Sequence, residues 1–60
     1  MFMDVEIIGF EQFYRNGKPV KKVVFRIKGE KTLRDLEIDL NRDYSEEELK
    51  EVILSHLKGL

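Results

Sequence analysis

The sequence predicts an α+β fold: a three-stranded antiparallel meander with one C-terminal amphipathic helix packed on one face. Three observations predict it. Three short runs alternate apolar and polar residues, an Asn-Gly pair joins the first two, and the segment Tyr44–Leu60 carries its own helix start and stop signals.

The first run, "MDVEI", sends Met3, Val5 and Ile7 one way and Asp4 and Glu6 the other. Asn16-Gly17 then marks a hairpin, because a type I′ turn needs positive φ at both central positions. If Arg15 faces Lys18 across that turn, Ile7 falls opposite Arg26, and an apolar side chain shares a face with a charge. One extra residue in the first strand removes the conflict, and Gly9 in "IIGF" is the natural place for such a bulge. The register then pairs Ile7 with Phe25, Val5 with Ile27, Glu6 with Arg26 and Asp4 with Lys28.

The second run, "KVVFRIK", groups Val23, Phe25 and Ile27 opposite Lys22, Val24, Arg26 and Lys28. Gly29-Glu30 supplies the next turn. The third run, "LEIDL", groups Leu36, Ile38 and Leu40 opposite Glu37 and Asp39. A four-residue loop between them would set Asp35 beside Arg26 and Asp39 beside Lys22. The middle strand is central in this order.

The helix is the clearest element. Ser45 and Glu48 form a capping box, and Tyr44 and Leu49 occupy the two positions of a hydrophobic staple. Glu46, Glu47 and Glu48 fill the first turn, where the helix dipole favours negative charge. Gly59 is placed to end the helix in a left-handed conformation. Leu49, Val52, Ile53, His56, Leu57 and Leu60 share one face.

The chain has 60 residues, which sets residues 1–60 as one βββα domain with a thin core. It has no cysteine, so neither a disulfide nor thiolate zinc supports it. The net charge of -1 gives no global pull toward nucleic acid or anionic lipid. No apolar run approaches the roughly 20 residues that span a bilayer, and the N-terminus lacks the marks of a signal peptide. A cytoplasmic location is therefore expected, with no membrane partner. The 38% charged content suits the surface ion pairs of a thermophile.

Two stretches invite functional readings. From Gln12 to Lys28 there are six basic residues and no acid. Arg26 and Lys28 would be flanked by acids on both neighbouring strands, which reads as a solvated sheet face. Arg15, Lys18, Lys21 and Lys22 remain as a basic hairpin tip that could contact nucleic acid. Lysine and Pro19 at strand edges also discourage sheet-to-sheet aggregation. The element order resembles, in outline, that of the arm-binding domains of tyrosine recombinases and of the plant ethylene-responsive DNA-binding domain. Those domains present the sheet to the major groove, and the acids of the first and third strands oppose such docking here.

The other stretch is apolar. Phe2, Ile8 and Val24 fall on the opposite phase or at strand ends, and Leu54 sits off the helix stripe. Phe10, Phe13 and Tyr14 lie beyond the bulge, where they either join an outer patch or curl over the helix end to finish the core. That many large apolar side chains in so short a chain point to a protein contact. With two open sheet edges, they point to a homodimer formed through the open sheet face or edge to edge, or to another protein partner. His56 lies on the apolar stripe and is expected to be packed and hydrogen-bonded, not catalytic. No catalytic residue, metal ligand or cofactor is assigned, and a pocket of about 300 Å³ would be hard to fit. The first reading is a non-enzymatic, self-associating interaction module, and the alternative is nucleic-acid binding by the hairpin tip.

Overall fold

A computed structural model describes residues 4–59. It contains strands β1 (Val5–Arg15), β2 (Lys18–Ile27) and β3 (Arg34–Ile38), followed by helix α1 (Glu46–Lys58). The strands form one antiparallel sheet in the order β1-β2-β3, and α1 packs on one face. Met3 and Leu60, expected in the core, and Phe2, expected at a contact surface, lie outside the described residues.

The first hairpin forms as its sequence requires. Asn16 and Gly17 both have positive φ, at 52° and 78°, and Arg15 pairs with Lys18. The bulge falls between Ile7 and Gly9. On its far side Ile7 pairs with Phe25 and Val5 with Ile27, so the apolar residues of both strands share a face. Ile8 is the extra residue, left without a Cα partner on β2.

The second hairpin differs from expectation by two residues. Lys22 pairs with Glu37 and Val24 with Asp35, in place of the expected neighbours Asp39 and Arg26. The amide of Glu30 donates to the Ile27 carbonyl at 2.9 Å, closing a turn in which Gly29 sits at φ 94°. The chain then runs irregularly through 31–33 before β3 begins, so the connection is longer than four residues. A shift of two keeps every side chain on its face. Leu40, expected in the third strand, lies in a turn beyond it.

The core is small. Val5, Val23, Phe25 and Ile38 from the sheet meet Leu49 and Ile53 from α1, all buried. Ile7, Ile27, Leu36, Tyr44, Leu54 and Leu57 pack around them. The helix is thus rolled toward Leu54, which half-buries against the core, while His56 is exposed. Docking through Leu49 and Ile53 buries an aliphatic side chain and leaves the imidazole hydrated.

The helix start matches its sequence. The Ser45 hydroxyl accepts from the Glu48 amide at 3.1 Å, and the Glu48 carboxylate accepts from the Ser45 amide at 3.2 Å. Its end does not. Gly59 is right-handed, at φ -76°, because its amide still reaches the carbonyls of Ser55 and His56 and completes the last turn.

Two measurements test this packing. Ile53→Ala should lower unfolding free energy by about 2–5 kcal/mol, read from urea denaturation. A cost well below that range would mean α1 is not docked through Ile53. The second is pH dependence. The Ser45 amide, then Arg42, hold the Glu48 carboxyl below the usual carboxylate range. Hydrogen bonds from Lys28 and the Val5 amide do the same for Asp4. A depressed carboxylate stabilises the fold above its unfolded-state pKa, and that contribution is lost as pH falls through the folded value. The melting temperature should therefore drop on acidification through and below the carboxylate range, and Glu48→Gln should flatten part of the drop. An unchanged slope in Glu48→Gln would contradict the assignment.

Candidate interaction surface

Beyond the core, β1 and β2 continue as a projecting hairpin. β3 pairs only with Lys21–Phe25 of β2, so among the described residues the ribbon formed by 13–15 and 18–20 has no third strand. The molecule is elongated, measuring 41 × 22 × 21 Å. Of the apolar residues singled out by sequence, Ile8, Phe10, Phe13, Tyr14 and Val24 distribute over both faces of this arm and its base.

On the helix side lie Phe10, paired with Val23, and Tyr14, paired with Pro19. Phe10 is 50% exposed and Tyr14 is 77% exposed. Neither folds over the helix end to complete the core. Instead Phe10 walls a shallow groove of about 350 Å³, together with Ile7, Tyr44, Glu46 and Leu49. A neighbouring recess of about 240 Å³ adds Lys21, Ile38, Arg42 and Asp43. Such room was not expected in a chain of this length. It exists because the hairpin outruns α1 and leaves a step where the two part.

On the helix-free side lie Ile8, Phe13 and Val24. Ile8 is 50% exposed, whereas Phe13 and Val24 are half-buried beneath long charged side chains. The Phe13 ring lies between the Arg15 guanidinium at 5.5 Å and the Lys22 ammonium at 5.4 Å. Those cations also bond across the strands, Arg15 to Glu37 at 3.3 Å and Lys22 to Asp35 at 3.6 Å. Arg26 bonds Glu6 at 2.8 Å and Lys28 bonds Asp4 at 3.1 Å. The open face is thus covered by a lattice of ion pairs over one aromatic ring. Leu54 is on neither surface, since it packs against the core.

The basic tip changes character accordingly. Arg15 and Lys22 are held by carboxylates on β3. Lys21 turns to the helix side and lies 4.9 Å over the Phe10 ring. Lys18 is exposed, and among the described residues neither it nor Lys21 has a carboxylate within bridging distance. The two carboxylates with clearly perturbed pKa values, Asp4 and Glu48, are lowered by bonds that serve the fold. Among the described residues, no group of His, Asp and Glu is arranged to hold a metal ion, and no helix is long and apolar enough to cross a membrane.

Some of the surface was not singled out from sequence. Tyr44 caps the groove, with its hydroxyl accepting from the Asp39 amide at 3.3 Å and Arg42 4.8 Å over its ring. Ile7 and Leu49 belong to the core set, yet their edges form the groove floor. No family model, curated protein or solved structure matches this chain.

The lattice predicts a coupled response. Because Glu37 holds Arg15 across the arm, Glu37→Gln should free Arg15 and increase the mobility of the Phe13 ring. Aromatic NMR line shapes would show this, with a stability loss of no more than about 1 kcal/mol for an exposed pair. An unchanged Phe13 environment would mean the ring does not depend on the bridge.

Proposed function

We propose that this protein is a small non-enzymatic interaction module that self-associates as a homodimer. The observation that carries the reading is the projecting β1–β2 hairpin, which displays Phe10 and Tyr14 beside an open groove. Large exposed aromatics are efficient contact residues, because their stiff side chains bury much area at little entropic cost. The thin core adds a reason for association, since burying this surface would stabilise a chain that has few other means.

The alternative reading is nucleic-acid binding by Arg15, Lys18, Lys21 and Lys22. Lys18, exposed at the turn with no carboxylate bridge among the described residues, is the observation in its favour. The ion pairs of Arg15 and Lys22 work against it, because phosphate contact would have to displace Glu37 and Asp35.

Light scattering on a sizing column separates monomer from dimer. The expected mass is twice the 7.2 kDa of one chain, falling toward it on dilution. A constant monomer mass at every concentration would refute self-association. In fluorescence anisotropy, binding of a DNA duplex or RNA hairpin that weakens steeply with salt, and is lost in Lys21→Glu with Lys22→Glu, would favour the alternative.

A further inference from the structure

Among the described residues, strand edge is open along β3, along β2 at the hairpin tip and along β1, and the first two are defended. The β3 edge is five residues long and three of them, Arg34, Asp35 and Glu37, are charged. The part of β2 that β3 leaves uncovered carries Lys18 and Pro19. In a two-residue hairpin the pair flanking the turn exchanges both backbone bonds, and the pattern alternates from there. Pro19, the partner of Tyr14, therefore sits where its nitrogen points outward, away from β1. Its missing N–H removes a donor from that open edge.

The third edge, β1, is interrupted by the bulge between Ile7 and Gly9, but the stretch beyond that bulge has no such device. By the same alternation, Glu11, Phe13 and Arg15 bond inward to β2, while Phe10, Gln12 and Tyr14 direct their N–H and C=O groups outward. The segment Phe10–Tyr14 is regular, lies past the bulge, contains no proline, and holds one charge, Glu11. An edge with an uninterrupted register and no proline is a template for another strand.

Resting on the self-association reading, we infer that this edge is the dimer contact and that β1 pairs with β1 of a second copy, antiparallel and centred on Gln12. A two-fold axis that makes strands antiparallel in one sheet keeps each side chain on its own face, so the centre must be a residue that meets itself. Centring on Glu11 would oppose two carboxylates. Centring on Phe13 would place Phe10 against Asn16 of the turn and Tyr14 against Gln12. Centring on Gln12 places Phe10 opposite Tyr14 of the second copy, twice, and so joins the exposed aromatics of the helix side. Tyr14 of each copy then arrives at the mouth of the groove that Ile7, Phe10 and Leu49 line in the other.

The opposite face agrees in charge. Glu11 has no bridging cation among the described residues, although its strand partner is Lys22, which bonds Asp35 instead. In the dimer Glu11 lies opposite Phe13 of the second copy, between the Arg15 and Lys22 groups that flank that ring. The result is a six-stranded sheet from two three-stranded ones, with both helices on one side.

Cysteine cross-linking reads the register directly, in a chain with no native cysteine. A residue paired with itself brings two α-carbons to about 5.5 Å, within disulfide reach, whereas a two-residue offset exceeds it. Under mild oxidation Gln12→Cys should form a covalent dimer at least tenfold faster than Phe13→Cys. Tyr14→Lys, at an exposed position, should retain its circular dichroism spectrum and weaken the dimer at least tenfold. If the unmodified chain stays monomeric, both the self-association reading and this inference fail. If it dimerises but Gln12→Cys cross-links no faster than Phe13→Cys, the inference alone fails and association uses another surface.

Discussion

A mismatch of lengths governs this molecule. A helix of 13 residues rises about 20 Å, and a strand of 11 residues runs about 36 Å. However α1 crosses the sheet, it cannot cover β1 from end to end. The core therefore gathers at one end, around Phe25 and Ile53, and the hairpin passes beyond the helix as a bare ribbon. The groove beside Phe10 and the exposure of Tyr14 both follow from that excess of strand.

The same excess sets the energetic problem. A two-stranded ribbon is marginal in water unless something packs on it. Here the helix-free face receives a partial solution. Phe13 lies under Arg15 and Lys22, and those cations are held by Glu37 and Asp35 of β3. Each exposed bridge contributes little alone, but together they tie the arm sideways to the short third strand. Among the described residues, the helix side of the arm receives no such cover. Lys21 over Phe10 shields one ring, and Tyr14 stays bare. A second copy would meet that remaining need.

Much of the fold was legible because its signals were local. Asn16-Gly17 specified the turn, and alternation with one forced bulge specified the β1–β2 register through Ile7–Phe25. Ser45 and Glu48 specified the helix start. What escaped depended on tertiary contact or on loops without strong preferences. Residues 31–33 gave no indication of the longer connection, so the β3 register was off by two. The roll of α1 toward Leu54 followed from sheet packing that a helical stripe alone cannot describe. Gly59 kept right-handed geometry because its amide still had carbonyls within reach. For the candidate surface, Phe10, Tyr14 and Ile8 were legible as surplus apolar residues. The place proposed for Gln12 at the centre of a paired edge was not, since an uncharged polar residue carries no such signal until the edge around it is known.

Proline guards the open edge of β2 at the hairpin tip, whereas β1 past its bulge leaves the outward amides of Phe10, Gln12 and Tyr14 open to a second strand. Amide hydrogen exchange at low and high protein concentration tests it most directly. Edge pairing of β1 with a second copy predicts that Glu11, Phe13 and Arg15 are protected at both concentrations, while Phe10, Gln12 and Tyr14 exchange freely when dilute and gain protection when concentrated. A protection pattern that is the same at both concentrations, in a chain shown to dimerise, would place the contact elsewhere and contradict the account.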